Sequence, residues 1–551
     1  MKIDDVKKYE QDFALLRVSV YSSRTSIFLA VVSGLLMAAS QEMFLTGSTY
    51  FGFISLVPLL IAVDRKRPLS AFFLAFITFF IYKTLPLHWM SQYGYPALFA
   101  LITMEAVAYG LAFLLYNFIR ERTNWNDPYL VILPMLISIV EFKQTIGPWA
   151  FPWPLIGNSQ WANLIFIQSA SIWGTIGLSF LIVWINRGIY ELFLAFPNHF
   201  RSLSKTVPLI LVLILNLAYG YGRLADNSYI NGAPHPTTIV QRSVSTDIAW
   251  TSNFNDRAWE EYDRLTLNET NNSIGEPGFV LWPENAVPDL MDSRLPDVQN
   301  QADITRKVFI LGTLTDAPEW ANEYTDYDQP WYHIYNSIVA ISPDAGVTGI
   351  YSKVHPVPFG ETIPMREYLS VLDYPWGDKN LSEGRKLEAL PTSYGGVGAM
   401  ICYESFFPQI SRKLVLDGAR YLFLASNTSW FGESVATWQH SRYDVFRAVE
   451  NGCFFARAAT TGVSSVIDPR GRILYETEPF KTEAFTIDIY PRRNLHFTRL
   501  FKNMFPDFTY YTILGDWISY ISLIWLILTM MRLFRPKSAK PISETIAFIE
   551  N

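Results

Sequence analysis

The chain has 551 residues, of which 50% are hydrophobic, 16% are aromatic and only 17% are charged, and its formal net charge is −6. This modest negative charge gives no sign of a nucleic-acid partner, and two cysteines, Cys402 and Cys453, are too few for a disulfide scaffold. The seven histidines show no metal-ligand spacing, so the sequence has no zinc motif. Apolar residues concentrate before residue 223 and after residue 506, which predicts a membrane part around a soluble insertion.

Eight apolar runs are candidates for membrane-spanning helices, which need about 20 residues each. These runs occupy residues 26–45, 48–63, 69–88, 97–118, 128–142, 170–193, 207–222 and 512–532. We therefore predict an N-terminal membrane domain over residues 1–222 with about seven transmembrane helices. A last transmembrane helix and a cytoplasmic tail are predicted over residues 501–551.

Positive charges alternate between the connections of these runs. They occur before the first run, in the second, fourth and sixth connections, and after the last run. The residues are Lys2, Lys7, Lys8, Arg17, Arg24, Arg65, Lys66, Arg67, Arg120, Arg122, Arg201, Lys205, Arg532, Arg535, Lys537 and Lys540. The first and third connections carry no Lys or Arg, and the fifth carries only Lys143. Because positively charged loops remain on the cytoplasmic side, the pattern predicts cytoplasmic termini and an external domain.

The fifth connection, residues 143–169, is rich in tryptophan. Trp149, Trp153 and Trp161 suit the bilayer interface, where an indole ring has one apolar and one polar environment. Simple anchoring and contact with a substrate both remain open from the sequence.

Residues 223–500 have a different pattern. Short runs rich in β-branched residues are typical of buried strands, and they read TTIVQ, GFVLW, VFILGTL, NSIVAIS, GAMICY, RYLFLAS and TGVSSVID. Segments of helical character lie between several of them, at residues 256–267, 406–417 and 436–451. The pattern predicts an α/β domain in which helices cover the strands.

Three reactive side chains follow apolar runs in this domain. Glu284 follows GFVLWP, Lys353 follows the turn after NSIVAIS, and Cys402 follows GVGAMI. Strand ends are where α/β folds place chemistry. A thiol suits acyl transfer through a thioester, for which a carboxylate removes the proton and a cation stabilises the oxyanion. Taken singly, the cysteine also fits a core position, and the two charged residues also fit an exposed surface.

The sequence motifs around these residues favour catalysis over core packing or an exposed surface. WPENAVP, YSKVHPVPFGE, CYESFFP and SNTSWFG occur in this order and resemble the carbon–nitrogen hydrolase (nitrilase) superfamily. Together with the membrane segments, the chain is similar to the apolipoprotein N-acyltransferases, most specifically in KVHPVPFGETIP and NTSWFGESVATWQHSRYDVFRAVENG. The resemblance implies a multi-span α-helical membrane domain joined to an α/β nitrilase-like domain, an αββα sandwich, over residues 223–500.

By that resemblance, Glu284 is the base, Lys353 the oxyanion-stabilising residue and Cys402 the nucleophile. Supporting or substrate-binding residues are then Glu361, Tyr403, Glu404, Trp250 and Trp430. Core packing remains an alternative for both tryptophans, and pairing with an arginine remains one for Glu404.

The chain departs from the family pattern at two places. Arg242-Ser243 and Thr428-Ser429 stand where the family often has Gly-Asn and Asp-Ala, so the pocket is less predictable than the chemistry. Residues 356–376 are apolar and interrupted by prolines, which favours an arm or lid beside the membrane over ordinary packing.

The implied activity is N-acylation of the N-terminal diacylglyceryl-cysteine of apolipoproteins. The acyl donor is a phospholipid, the reaction is ping-pong through a thioester, and no metal or organic cofactor is implied. The implied location is the bacterial cytoplasmic (inner) membrane, with the catalytic domain facing the periplasm or outside. One alternative is a membrane-tethered amidase or nitrilase, in which water resolves the thioester. A catalytically inactive membrane binding protein is another, although such a protein needs no activated thiol.

Overall fold

The computed structural model describes residues 23–41, 47–123, 127–195, 200–230, 232–243, 254–316, 334–358, 360–362, 381–492 and 508–534. Its N-terminal part is helical. The α-helices are α1 (Ser23–Ala39), α2 (Val57–Val63), α3 (Pro68–Leu87), α4 (Tyr95–Arg122), α5 (Ile132–Gln144), α6 (Leu164–Ile167), α7 (Ala170–Leu194) and α8 (Phe200–Ala225). Short 3-10 turns cover Ser48–Phe53, His88–Tyr93, Ile156–Gln160 and Ser228–Ile230. Each of the seven N-terminal apolar runs overlaps one of these helices.

Four helical segments among the described residues are long and apolar enough to cross a membrane, namely Pro68–Tyr93, Tyr95–Arg122, Ala170–Leu194 and Ser204–Ile230. The apolar segments Ser23–Ala39, Ser48–Val63 and Trp517–Leu533 are shorter. Helix α5 has 13 residues, about 20 Å at 1.5 Å per residue, which is less than the roughly 30 Å hydrocarbon core. The count of seven spans therefore stays a prediction.

Helices α3 and α4 pack along their lengths. The rings of Phe79 and Tyr109 stack with their centroids 3.9 Å apart. One turn further along α3, Lys83 forms a buried ion pair with Glu105 of α4 (3.1 Å). The Lys83 ammonium also donates to the carbonyl of Pro154 (2.9 Å). This hairpin thereby holds the tryptophan-rich connection in place.

The C-terminal domain contains β1 (His235–Gln241), β2 (Gly278–Leu281), β3 (Lys307–Thr315), β4 (Tyr335–Ser342), β5 (Gly346–Ser352), β6 (Gly396–Ile401), β7 (Ala419–Ser426), β8 (Phe455–Ala459), β9 (Ser465–Ile467), β10 (Ile473–Glu476) and β11 (Glu483–Ile489). Its helices are α9 (Phe254–Thr270), α10 (Leu295–Thr305), α11 (Pro408–Leu416) and α12 (Val435–Asn451). The three predicted helical segments thus correspond to α9, α11 and α12.

The strands form two sheets that pack face to face. One sheet has the order β11-β1-β2-β3-β4-β5 and the other β10-β9-β8-β7-β6. Strands β1 to β3 are parallel to one another, and so are β6 to β8. Alternation along β2 shows the layers, because Phe279 faces Phe423 of the other sheet while Trp282 stacks on Tyr262 of α9. Helices α11 and α12 cover the outer face of the second sheet, which confirms the αββα sandwich.

Helix α12 also packs on α7 of the membrane part. The backbone N–H and the hydroxyl of Thr175 donate to Glu450 (2.9 and 2.7 Å). Beside this contact, α7 is broken at Gly174, where φ is 69°. A Cβ at this position would lie 2.5 Å from the ring of Tyr511, in the short helix α13 (Tyr510–Leu514). Helix α14 (Trp517–Leu533) follows and packs against α5 and α7.

Candidate active site

The three predicted catalytic residues lie at the ends of strands from both sheets. Glu284 follows β2, Lys353 follows β5, and Cys402 follows β6 and begins the 3-10 turn Cys402–Phe406. All three are buried in the described structure. The sandwich therefore brings together residues that lie 49 to 118 positions apart in the sequence.

Lys353 is the centre of the charged cluster. Its ammonium lies 2.8 Å from a carboxylate oxygen of Glu361 and 3.4 Å from one of Glu284. Burial lowers the pKa of Lys353, but the two carboxylates outweigh burial and hold this pKa well above its usual range. Lys353 therefore stays protonated, as an oxyanion-stabilising cation must.

Both oxygens of Glu284 accept strong hydrogen bonds. Oε1 accepts from the amide of Asn336 (2.6 Å), and Oε2 accepts from the backbone N–H of Asn427 (2.6 Å). The same Asn336 amide reaches Glu361 (3.2 Å). Asn427 also contacts Cys402, because its carbonyl lies 3.9 Å from Sγ of that residue. Two asparagines thus fix the orientation of the carboxylate that we assign as the base.

Cys402 has a constrained backbone. Its φ is 50°, in the left-handed region that costs a residue with a side chain about 1–3 kcal/mol. The Cys402 carbonyl contacts Nε2 of His440 (3.1 Å), while Nδ1 of His440 contacts the guanidinium of Arg457 (3.0 Å). Because a guanidinium only donates, Nδ1 accepts and Nε2–H donates to Cys402. Burial and Arg457 hold the pKa of His440 well below its usual value, so the ring is neutral.

The thiol of Cys402 is protonated in the resting protein. Burial raises its pKa to about 12, the Glu284 carboxylate adds to this effect, and the Lys353 ammonium opposes it. A thiol with this pKa has almost no thiolate at neutral pH. The arrangement therefore requires a base that removes the proton as the thiol attacks, and Glu284 is the nearby candidate.

Glu404 supports the backbone around both Cys402 and Lys353. Its Oε1 accepts from Tyr351 and from the N–H groups of Val354 and His355, and its Oε2 accepts from the N–H of Ile401. Burial raises the pKa of Glu404 to about 7, although Lys353 and the N–H donors oppose the shift. Since these donors occupy the carboxylate, the alternative of an arginine partner is wrong.

The aromatic candidates have different environments. Tyr403 is buried, and its hydroxyl donates to the carbonyl of Ala150 in the membrane part (3.2 Å). Trp430 is 51% exposed, so the alternative that it packs in the core is wrong. Trp250 lies outside the described residues, as do residues 359 and 363–376 of the predicted arm.

The sequence predicted that Trp153 lies at the bilayer interface. In the structure this side chain is buried. Its ring stacks on Phe406 with centroids 4.3 Å apart, and its indole N–H donates to Gln439 of α12 (2.9 Å). The tryptophan-rich connection therefore packs directly behind the 3-10 turn that begins at Cys402.

The sequence did not single out Asn336 or His440. Asn336 is the polar first residue of the run NSIVAIS, which is the only sequence signal for it. His440 lies in the motif WQHSRYDVF, but its role depends on the pairing of α12 with the 3-10 turn, which sequence spacing does not show.

Comparisons with known proteins find similarity in both parts of the chain. Residues 279–493 match the carbon-nitrogen hydrolase family model, and residues 33–187 match the model of the apolipoprotein N-acyltransferase N-terminal domain. A carbon-nitrogen hydrolase structure from Helicobacter pylori is 15% identical, with a TM-score of 0.34, and covers 47% of this chain and 89% of its own.

Two curated relatives span most of the chain. The apolipoprotein N-acyltransferase of Geobacter metallireducens is 30% identical over 485 residues, which cover 85% of this chain and 91% of the relative. That of Borreliella burgdorferi is 28% identical over 481 residues, which cover 82% and 87%. Because the similarity to a relative that is 30% identical extends over both the helical part and the sandwich, the chain belongs to the apolipoprotein N-acyltransferase family.

Proposed function

We propose that the protein transfers an acyl chain from a phospholipid, through a thioester on Cys402, to the N-terminal amine of the diacylglyceryl-cysteine of apolipoproteins. The observation that carries this proposal is the position of the buried Cys402–Lys353–Glu284 cluster against apolar helices. Tyr403, next to the nucleophile, contacts Ala150 of the membrane part. A donor and an acceptor that both reside in a membrane fit such a site better than a soluble amide or nitrile.

In the first step, the thiol of Cys402 attacks the ester carbonyl of the phospholipid. Glu284 takes the thiol proton, and the ammonium of Lys353 stabilises the oxyanion of the tetrahedral intermediate. The intermediate collapses as the C–O bond breaks, and Glu284 returns the proton to the leaving alkoxide. The products are an acyl thioester on Cys402 and a lysophospholipid.

In the second step, the amine of the lipoprotein attacks the thioester carbonyl. The C–N bond forms, the C–S bond breaks, and Glu284 transfers a proton from the nitrogen to the leaving sulfur. The amide product leaves, and the Cys402 thiol is regenerated. Glu361 supports both steps by holding the Lys353 ammonium, so its role is to position rather than to transfer protons.

We further propose the domain limits and location that the charge pattern predicts. The membrane domain comprises residues 1–222 with about seven spans, the catalytic domain residues 223–500, and the last span and tail residues 501–551. The protein then lies in the bacterial inner membrane with its catalytic domain outside the cytoplasm. Exposed Trp430 and the undescribed Trp250 are proposed as substrate contacts on that side.

Mass spectrometry of the purified protein tests the reaction. After incubation with phospholipid alone, the wild type is expected to gain the mass of one acyl chain, which hydroxylamine at neutral pH removes. Addition of a diacylglyceryl peptide should also remove the label and yield the N-acylated peptide. Release of free fatty acid without N-acylation would support a membrane-tethered hydrolase instead, and a label on a residue other than Cys402 would refute the thioester.

A further inference from the structure

The loop after β7, residues 427–434, is held from the membrane side. The carbonyl of Trp430 accepts hydrogen bonds from the amide of Gln92 (2.8 Å) and from the hydroxyl of Tyr93 (2.7 Å). Both donors belong to the 3-10 turn His88–Tyr93 that joins α3 to α4. A carbonyl has two lone pairs, so these two donors saturate it.

Aromatic contacts fix the same loop from a second direction. The ring of Phe431 meets Trp89 edge-on, with centroids 4.9 Å apart, and meets Trp153 at 5.7 Å. Trp89 belongs to the same turn as the two hydrogen-bond donors. The loop is therefore attached to the α3–α4 hairpin by polar and apolar contacts together.

The other end of the loop reaches the catalytic groups. The N–H of Asn427 donates to Glu284 (2.6 Å), and the carbonyl of Asn427 lies 3.9 Å from Sγ of Cys402. The residues after Asn427 form a tight turn. A hydrogen bond from the N–H of Phe431 to the carbonyl of Thr428 (3.0 Å) closes this turn. Because the turn is this short, a displacement of the Trp430 peptide displaces the Asn427 peptide.

We propose that Gln92 and Tyr93 are positioning residues for catalysis. Through the Trp430 carbonyl they set the Asn427 peptide against Glu284, and so they set how readily Cys402 loses its proton. The inference rests on the roles proposed above for Cys402 and Glu284. It makes the reactivity of the external thiol depend on how the α3–α4 hairpin sits in the membrane.

Alkylation of Cys402 by iodoacetamide tests this role, because this small neutral reagent needs no lipid site. A Cys453→Ala background leaves one thiol. In that background, Gln92→Ala and Tyr93→Phe should each slow alkylation roughly three- to tenfold, the range expected for one lost hydrogen bond. The double variant should slow alkylation at least about tenfold. Tyr95→Phe is the matched control, because Tyr95 lies two residues further along and is 76% exposed, and its rate should equal that of the background.

Unchanged alkylation in the double variant would overturn the inference. A higher KM for phospholipid in that variant, beside unchanged alkylation, would make these residues substrate contacts instead. Glu284→Gln separates the inference from the proposed function. If Glu284→Gln slows alkylation and the double variant does not, only the positioning role fails. If Glu284→Gln has no effect, the proposed base is wrong, and the positioning role that acts through it fails as well.

Discussion

At the scale of single residues, the reactivity of Cys402 depends on removal of its thiol proton. With its pKa raised to about 12 by burial and by Glu284, the thiol depends on a base at neutral pH. Glu284→Gln removes the proposed base, so alkylation of the variant should then require free thiolate. Below the pKa, the thiolate fraction rises tenfold per pH unit.

We therefore predict different pH profiles of alkylation for the two proteins. Between about pH 7 and 9, the iodoacetamide rate of Glu284→Gln should rise about tenfold per unit, while the parent with Glu284 should show a shallower rise. Both rates are measured in the Cys453→Ala background, with and without Glu284→Gln, by mass spectrometry of samples quenched at set times. Equal slopes would show that Glu284 does not take the thiol proton.

Asn336 carries a second prediction at this scale. Its amide donates to Glu284 and Glu361 at 2.6 and 3.2 Å, so Asn336→Asp places a third carboxylate against two others. We expect thioester formation to slow by about 10²–10³, the range for loss of one preorganised group. Asn336→Ala, which removes the donor without adding charge, should slow it less. Equal losses in the two variants would indicate that only packing matters at this position.

At the scale of elements, the sequence predicted those strands that a local pattern of apolar and β-branched residues marks. The seven predicted strand runs became β1, β2, β3, β4, β6, β7 and β9, and the positions of Glu284 and Cys402 followed from predicted strand ends. Lys353 was expected in the turn after β4, but it follows β5. Strands β5, β8, β10 and β11 were not predicted. Strand β8 reads FARAA and lacks β-branched residues, and β10 and β11 are only partly buried. Their strand conformation comes from pairing with neighbours, which a single sequence does not show.

The α3–α4 hairpin carries a prediction about stability. Lys83 and Glu105 form an ion pair with side-chain exposures of 0% and 4%. Removal of one partner leaves a buried charge uncompensated, which typically costs about 3–5 kcal/mol. Lys83→Met should therefore lower the thermal transition in detergent markedly, and Lys83→Met/Glu105→Gln should recover much of the loss. A double variant no more stable than Lys83→Met would show that the pairing itself does not hold the hairpin.

At the scale of the whole molecule, the positively charged connections predict how the protein is oriented in the membrane. Arg65, Lys66 and Arg67 lie between α2 and α3, and Arg120 and Arg122 end α4. Reporter fusions after residues 66 and 121 should therefore read cytoplasmic, and a fusion after residue 350 should read external. Protease protection in intact and opened cells checks each fusion. A cytoplasmic signal at residue 350 would contradict both the orientation and the access of the site to external lipoproteins.

The contact between Gly174 and Tyr511 joins two segments that are synthesised at different times. Gly174 leaves the ribosome early, but the ring that fills the space beside it belongs to a segment made after the whole catalytic domain. At about 5–20 residues per second, roughly 3–12 s separate the synthesis of Glu450, which binds Thr175, from that of Tyr511. Until Tyr511 has been made, its ring cannot fill the space beside Gly174. The packing beside Gly174 is therefore completed only after Glu284, Lys353 and Cys402 have been synthesised.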